Sequence, residues 1–94
     1  MADAWVYMLR CRDGSLYTGW CVDLARRLRE HRAGSASKYT ASRLPVELVF
    51  AAAQPDRAAA RREEARIKAL RRREKLALIS AADALGEAVQ TVGA

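Results

Sequence analysis

The sequence holds six side chains whose types and spacing could support chemistry: two tyrosines, an arginine and a histidine one helical turn apart, and two adjacent glutamates. They are Tyr7, Tyr17, Arg27, His31, Glu63 and Glu64. Phenol and imidazole groups transfer protons, a guanidinium stabilises negative charge, and a carboxylate accepts protons or binds a cation. The same residues also have structural interpretations: core tyrosines, a buried histidine, a surface arginine and glutamates in helix-surface ion pairs.

Several standard catalytic patterns are absent from the sequence. The single histidine excludes a multi-histidine metal site, no glycine-rich phosphate loop follows a predicted strand, and no Gly-x-Ser-x-Gly elbow exists. Cys11 and Cys21 both lie in apolar segments, and we expect two buried free thiols rather than a disulfide or a metal pair. Any chemistry therefore depends on the six residues named above.

The two tyrosines must be positioned by a β-hairpin. Ala4–Cys11 and Leu16–Trp20 are aromatic and β-branched enough to predict strands, and Asp13-Gly14 between them is typical of a turn. A two-residue loop would pair positions whose numbers sum to 27 and would send the tyrosines to opposite faces. A three-residue loop, Asp13–Ser15 with Gly14 left-handed, pairs positions that sum to 28 and puts both tyrosines on one face. We predict the longer loop.

Arg27 and His31 are predicted to lie on a helix that begins after Asp23, a suitable N-cap, and ends before Gly34. Its sheet-facing stripe consists of Leu24, Leu28 and His31. Arg27 lies at the edge of that stripe, one turn from His31. The side chains predicted to point away are those of Arg26, Arg29 and Glu30.

The second half of the chain predicts one more strand and then helices. Ala33–Arg43 is small, polar and basic, which predicts a loop, and Val46–Ala53 after Pro45 predicts a third strand. An alanine-rich helix opens at Pro55-Asp56 and is expected to run to about Arg72. Its inward side is marked by Ala60, Glu63, Ile67 and Leu70, with Glu64 flanking it.

The C-terminal segments Leu76–Ile79 and Ala82–Val89 predict one or two short helical pieces, and Val92–Ala94 should fray. The resulting order is β-β-α-β-α-α. It predicts a mixed α/β (α+β) sandwich with a short, mainly antiparallel three-stranded sheet flanked by helices. Ninety-four residues suffice for one domain, so we expect residues 1–94 to form a single domain.

The charge of the chain favours a nucleic-acid partner. The sequence has 17 Lys and Arg against 11 Asp and Glu, a net charge of +6, and all the basic residues lie between Arg10 and Lys75. Most are arginine, which suits bidentate phosphate contacts, although a GC-rich genome also produces arginine-rich proteins. The longest stretch without a charged residue, Gly14–Val22, is too short to span a membrane, and no signal peptide precedes it. We therefore expect a cytoplasmic protein.

Five segments, taken in order, resemble the GIY-YIG nuclease family. Trp5-Val6-Tyr7, ten residues before Tyr17-Thr18-Gly19, is similar to the paired signature that names the family. Asp23–His31 resembles the helix that follows, in which the catalytic arginine directly precedes a leucine. The other segments are Gly34 with Lys38-Tyr39-Thr40, Pro45–Val49 and Glu64–Lys68. The resemblance covers about residues 4–80, leaves 81–94 as a helical extension and tail, and is strongest to the single-domain bacterial YhbQ-like subgroup.

The resemblance implies a GIY-YIG-like sandwich and a metal-dependent endonuclease that hydrolyses DNA phosphodiester bonds, in DNA repair or processing, with Mg²⁺ or Mn²⁺. Tyr7 and Tyr17 match the two signature tyrosines, and Gly19 matches the signature glycine. Arg27 matches the helix arginine. His31 falls where relatives have histidine or tyrosine.

Glu64 matches the acid that binds the metal in this family. Glu63 is the competing candidate, because helical phase points it more squarely inward. The family acid precedes an apolar residue by three, and Ile67 fits that spacing only from Glu64. We therefore expect Glu64 to be the metal ligand and keep Glu63 as the alternative.

In the mechanism implied by the resemblance, Tyr17 acts as the general base on the attacking water. Its pKa must then fall from the ordinary value of about 10, with Arg27 and the metal as the agents. Arg27 stabilises charge on the phosphate, while Tyr7 and His31 position or shuttle protons. The residues expected to line the DNA path are Arg10, Arg12, Arg26, Arg29, Arg32, Lys38 and Arg43.

The sequence departs from the family pattern at three points. Trp-Val-Tyr replaces Gly-Ile-Tyr, Trp20 stands where some relatives have a basic residue, and no asparagine follows Glu64. Two alternatives therefore remain beside the nuclease: a catalytically idle nucleic-acid-binding module, and a nuclease subunit that requires a protein partner. DNA, including branched or flap structures, is the expected partner, with no membrane and no small-molecule cofactor.

Overall fold

The computed structural model describes residues 3–85 and confirms the predicted fold class. Its elements are β1 (Ala4–Arg10), β2 (Leu16–Cys21), α1 (Leu24–Arg32), α2 (Lys38–Ala41), β3 (Glu47–Gln54), α3 (Arg57–Lys68) and α4 (Arg72–Leu85). The strands form one antiparallel sheet in the order β2-β1-β3, so β1 lies in the centre. Among the described residues, no helix is both long and apolar enough to cross a membrane.

The β1–β2 hairpin has a three-residue loop, as predicted, but the loop is Arg12–Gly14 rather than Asp13–Ser15. The Cys11 amide donates to the Ser15 carbonyl at 2.9 Å, and the Gly14 amide donates to the Cys11 carbonyl at 2.9 Å. Gly14 has a φ of 85°. In a three-residue loop built on a type I turn, the left-handed residue comes last, so the glycine fixes the loop one residue earlier than predicted.

The corrected loop shifts the strand register without changing the faces. Tyr7 pairs with Gly19, and Leu9 pairs with Tyr17, so paired positions sum to 26 rather than 28. Side chains alternate between faces along a strand, and a shift of two positions preserves that alternation. The prediction that Tyr7 and Tyr17 share a face is therefore correct although the predicted register is wrong.

The two faces of the sheet carry separate apolar cores. Tyr7 and Leu9 of β1 face α1, where they pack with Leu24 and Leu28 in a cluster that also contains both cysteines. The alternate β1 residues, Val6 and Met8, face the other way and pack with Ile67 of α3 and Ile79 of α4. The cysteines are free and buried, as the sequence predicted. The sheet is thus covered by α1 on one side and by α3 and α4 on the other.

The helix boundaries agree with the prediction for α1 and differ elsewhere. The Asp23 carboxylate accepts a hydrogen bond from the Arg26 amide at 3.0 Å and caps α1. The predicted loop Ala33–Arg43 contains α2, and β3 begins and ends one residue later than the predicted strand Val46–Ala53.

The predicted helix to about Arg72 is instead two helices, because α3 ends at Lys68 and α4 begins at Arg72. The Glu74 carboxylate accepts a hydrogen bond from the Arg71 amide at 2.9 Å, which caps the start of α4. The predicted short pieces Leu76–Ile79 and Ala82–Val89 are continuous in α4 as far as Leu85. Residues 86–94, which include the predicted end at Val89 and the predicted frayed tail, lie outside the described range.

Gly19 leaves the space that the Tyr7 ring occupies. A Cβ atom at position 19 would lie 2.6 Å from Tyr7 Oη and 2.7 Å from Tyr7 Cζ. The phenol of Tyr7 therefore lies directly over Gly19 of the edge strand β2. Any side chain at position 19 would displace the hydroxyl end of Tyr7.

Gly19→Ala should therefore destabilise the fold by about 1–3 kcal/mol, since an added methyl group in a filled site forces its neighbours to move. Urea denaturation of the variant and the parent measures this loss. In a Tyr7→Leu background the ring atoms that the new Cβ meets are gone, so the same Gly19→Ala change should cost much less. An equal loss in both backgrounds would show that contact with Tyr7 is not the cause.

Candidate active site

Tyr7, Tyr17 and His31 converge on the α1 side of the sheet. The two tyrosine ring centroids are 6.4 Å apart. The His31 ring lies edge-on to both, with its centroid 5.6 Å from that of Tyr7 and 5.2 Å from that of Tyr17. Tyr7 and His31 are fully buried, whereas Tyr17 is half-buried and reaches the surface. Three residues predicted from the sequence thus form one aromatic cluster.

A chain of hydrogen bonds runs from this cluster into α2. Tyr7 Oη lies 2.7 Å from His31 Nε2, and His31 Nδ1 lies 2.9 Å from Thr40 Oγ1. Thr40 Oγ1 lies in turn 2.9 Å from Ser37 Oγ. Thr40 is fully buried. Both imidazole nitrogens therefore have a partner, one from β1 and one from α2.

Thr40 and Ser37 were not among the site residues predicted from the sequence. Ser37 Oγ accepts a hydrogen bond from the Thr40 amide at 3.1 Å and so caps α2. Serine is a preferred N-cap residue, so Ser37 could have indicated where the short helix begins. That Thr40 faces His31 depends on the packing of α2 against α1, and no local pattern encodes it.

Arg27 joins the cluster through Tyr7. The charge of Arg27 opposes the rise in the pKa of the Tyr7 phenol, and Arg27 Nε lies 3.2 Å from Glu30 Oε1. Glu30 also pairs with Arg26, with 3.4 Å between Arg26 Nε and Glu30 Oε2. Glu30 lies outside the sheet-facing stripe, with its side chain 36% exposed, and still reaches Arg27. Its spacing of three residues from Arg27 brings the carboxylate back to that guanidinium.

Burial keeps Tyr7 and His31 uncharged. Burial raises the pKa of the Tyr7 phenol, nearby Tyr17 raises it further, and Arg27 opposes the shift. Burial lowers the pKa of His31, and the charge of Arg27 adds to that effect. Burial also raises the pKa of the Cys21 thiol to about 11, so this neighbour stays protonated. At neutral pH, Tyr7 is a phenol and His31 is an uncharged imidazole.

An open groove of about 570 Å³ borders the cluster at Arg27. Its wall combines an indole ring, two guanidinium groups and two carboxylates, and it is lined by Trp20, Cys21, Val22, Asp23, Arg26, Arg27 and Glu30. Arg27 belongs both to this groove and to the buried cluster. An anion that enters the groove can therefore interact with the cluster through the Arg27 guanidinium.

Tyr39 and Arg43 cover Tyr17 on its outer side. The Tyr39 and Tyr17 rings stack with centroids 6.0 Å apart and planes at 27°. The Arg43 guanidinium carbon lies 3.8 Å from the Tyr39 ring centroid, and Arg43 Nε donates to Asp13 Oδ2 at 3.1 Å. This stack ties the β1–β2 loop to the α2 segment and restricts the position of Tyr17.

Glu63 and Glu64 lie on α3, which packs on β2 and β1 from the other face of the sheet. The structure therefore places neither glutamate within the buried tyrosine–histidine cluster. Both oxygens of Glu63 accept hydrogen bonds from Arg66, at 2.7 and 2.8 Å, and these bonds lower the pKa of Glu63. Glu64 has a looser ion pair with Lys68 at 3.4 Å, and its side chain is 22% exposed against 30% for Glu63. The Glu64 carboxylate therefore interacts less strongly with a neighbouring cation than the Glu63 carboxylate does.

Among the described side chains, a single carboxylate would serve as the protein ligand of a hard divalent cation. Within residues 3–85, no three His, Cys, Asp or Glu side chains are grouped as a ready-made metal site. A single carboxylate combined with water and substrate oxygens is an ordinary environment for Mg²⁺. The oxygen atoms of Glu64 fit that role better than those of Glu63, which the Arg66 guanidinium already occupies.

The seven basic residues predicted for the DNA path fall into two groups. Three have acidic partners: Arg10 pairs with Glu47 at 3.8 Å, Arg26 pairs with Glu30, and Arg43 pairs with Asp13. The other four are exposed and form no ion pair with any residue in the described range, and they are Arg12, Arg29, Arg32 and Lys38. The exposed group supplies positive charge that is not neutralised locally.

Comparison with known proteins agrees with this geometry. Residues 3–77 match the family model described as the GIY-YIG catalytic domain. A UPF0213 protein of Streptococcus sanguinis is 47% identical over 76 residues, which cover 81% of this chain and 87% of that protein. One from Oceanobacillus iheyensis is 48% identical over 75 residues, covering 80% and 87%.

A solved structure shows the same architecture. The solution NMR structure of a UPF0213 protein from Bacillus halodurans superposes with a TM-score of 0.56 at 44% identity, over 83% of each chain. The family-model match over residues 3–77 spans the three strands and the helices α1 and α2 that carry the tyrosine–histidine cluster and its hydrogen bonds. The chain therefore belongs to the GIY-YIG family, in the single-domain group that the UPF0213 proteins represent.

Proposed function

We propose that this chain is a metal-dependent endonuclease that hydrolyses DNA phosphodiester bonds, in DNA repair or processing. The GIY-YIG domain implies a nuclease-type fold. The observation that carries the proposal is the convergence of Tyr7, Tyr17 and His31 into one cluster, with Arg27 at the border of an open groove. Phenols, an imidazole and a guanidinium at one surface suit proton transfer beside a phosphate.

Each residue of the cluster has a distinct task in this proposal. Arg27 binds the phosphate that enters the groove and stabilises the negative charge that develops on its oxygens. Tyr17, the tyrosine that reaches the surface, accepts a proton from the attacking water in its phenolate form. Tyr7 is a neutral buried phenol and His31 is a neutral imidazole, so this pair can orient groups or transfer a proton without adding charge.

Glu64 is the proposed ligand for Mg²⁺ or Mn²⁺. When bound, the cation would neutralise charge on the phosphate and on the leaving oxygen. Glu64 lies on α3 on the other face of the sheet, while the Tyr7 phenol lies over Gly19 of the edge strand β2. A DNA strand that passes along the β2 edge would lie near the Glu64 face of the sheet and near the Tyr7 face. The exposed residues Arg12, Arg29, Arg32 and Lys38 supply the positive surface for its backbone.

Glu64→Gln should abolish metal-dependent cleavage while leaving DNA binding nearly intact, because it removes the anionic metal ligand and keeps the size of the side chain. End-labelled duplex, flap and branched DNA, incubated with Mg²⁺ or Mn²⁺, provide the assay, and circular dichroism checks the fold. Glu63→Gln is the matched control, since it alters a carboxylate that already pairs with Arg66.

The pattern of the two variants decides between the candidate functions. Cleavage lost in Glu64→Gln and retained in Glu63→Gln supports the proposal, and the reverse pattern would make Glu63 the ligand. Salt-sensitive binding of DNA with no cleavage by any variant would favour the idle binding module. Cleavage that appears only after a protein partner is added would favour the subunit of a larger nuclease.

Tyr17→Phe should reduce the cleavage rate by about 10²–10⁴-fold, because the variant keeps the ring packing and loses the group that accepts the proton. Tyr39→Phe is the matched control: it removes the hydroxyl of the tyrosine that stacks on Tyr17 and keeps both rings. Single-turnover cleavage rates of the two variants and the parent give the comparison. An unchanged rate for Tyr17→Phe would mean that another group is the base.

A further inference from the structure

We propose that Thr40 is a positioning residue that fixes the tautomer of His31, with the proton on Nδ1 and the lone pair of Nε2 directed at the Tyr7 hydroxyl. The assignment of the His31 tautomer depends only on the buried hydrogen bonds. Its consequence for catalysis rests on the proposed nuclease function. Ser37 supports Thr40 from the capping position of α2.

The hydrogen bonds of the Thr40 hydroxyl accommodate a proton on His31 Nδ1. This hydroxyl has one proton and two lone pairs. The structure gives it three neighbours: His31 Nδ1 at 2.9 Å, Ser37 Oγ at 2.9 Å, and the Ser37 carbonyl oxygen at 3.4 Å, to which Thr40 donates. With the proton on His31 Nδ1, Thr40 accepts from the imidazole and directs its own proton to Ser37, so every group in this part of the chain has a partner.

The Tyr7 end of the hydrogen-bond chain also constrains the tautomer of His31. Within the described residues, the Tyr7 hydroxyl has one hydrogen-bond partner, His31 Nε2. The Tyr7 proton then needs an acceptor, and His31 Nε2 lies 2.7 Å away. In the other tautomer, Nε2–H would donate to Tyr7, and the buried Tyr7 proton would have no acceptor among the described residues. The Tyr7 end therefore selects the tautomer with the proton on Nδ1, which Thr40 accepts.

Burial makes this choice energetically significant. Tyr7, His31 and Thr40 are each fully buried, so water cannot replace a lost partner. A buried polar group left without a hydrogen bond gains no water in exchange, so the fully paired tautomer is favoured. Because His31 is uncharged, it has one N–H and one lone pair, and its partners Thr40 and Tyr7 decide which nitrogen has which. The α2 helix thus sets the direction of a proton path that ends at Tyr7.

The experiment uses the fact that the chain has only one histidine. Long-range ¹H–¹⁵N correlation spectra of the labelled full-length protein, without a histidine tag, report which ring nitrogen is protonated and require no nuclease activity. The parent protein should show His31 protonated on Nδ1. A parent spectrum with the proton on Nε2 would overturn the proposal without any variant.

Thr40→Val, which keeps the shape and removes the hydroxyl, should shift His31 away from the Nδ1–H tautomer, and Thr40→Ser should restore it. Thr18→Val is the matched control, because Thr18 is also buried but its Oγ1 has no hydrogen-bond partner in the described structure. An unchanged His31 spectrum in folded Thr40→Val would overturn the proposal. If Thr40→Val does not fold, a His31 tautomer in Thr40→Ser that differs from the parent would overturn it equally.

The catalytic consequence is measured separately, from the rate of DNA cleavage. Thr40→Val should lower kcat by about 10–100-fold, as loss of a partner behind a functional histidine does, with KM for DNA little changed. Thr40→Ser and Thr18→Val should stay close to the parent. A shifted tautomer with an unchanged kcat would overturn the catalytic part alone. A shifted tautomer in a protein that cuts no DNA in any form would support the positioning by Thr40 and overturn the nuclease proposal instead.

Discussion

The hydrogen bond between the Tyr7 hydroxyl and the His31 imidazole is the interaction on which the rest of the site depends. Both side chains are fully buried, and two polar groups in an apolar core are tolerated only when they are paired. The pairing needs a glycine at position 19, because any Cβ there would collide with the phenol. It also needs α1 in the register that turns His31 inward, and α2 to supply a partner for the second imidazole nitrogen.

The sheet divides stability and chemistry between its two faces. The face toward α3 and α4 is packed with aliphatic side chains such as Val6, Met8 and Ile67, and it contributes mainly by burying apolar surface. The face toward α1 shares its apolar core with the tyrosines and the histidine. Because β1 lies between the two, alternate residues of this one strand supply both the aliphatic core and the Tyr7 phenol.

The positive charges lie at the surface and at Arg27, outside the uncharged pair of Tyr7 and His31. Within the described residues, Arg27 is the cation whose charge acts on the pKa of Tyr7, and Glu30 forms an ion pair with it. The arginines that lack acidic partners in the described structure stand at the surface, where water solvates them. In the proposed function, these surface charges attract the DNA backbone, whereas Arg27 alone transmits the charge of a phosphate to the buried groups.

The sequence by itself determined the fold class, the three strands, the inward face of α1 and the shared face of the two tyrosines. These follow from local patterns, since strand alternation and helical phase depend on near neighbours and survive even a register error of two. The pairs of Arg27 with Glu30 and of Glu63 with Arg66 are also local, since each joins residues three apart on one helix. Tertiary structure decided the contacts between distant segments, which bring Thr40 and Tyr7 to the two nitrogens of His31. Pairings of this kind depend on how helices pack and on which partner each side chain reaches first, and hydrophobic periodicity carries no information about either.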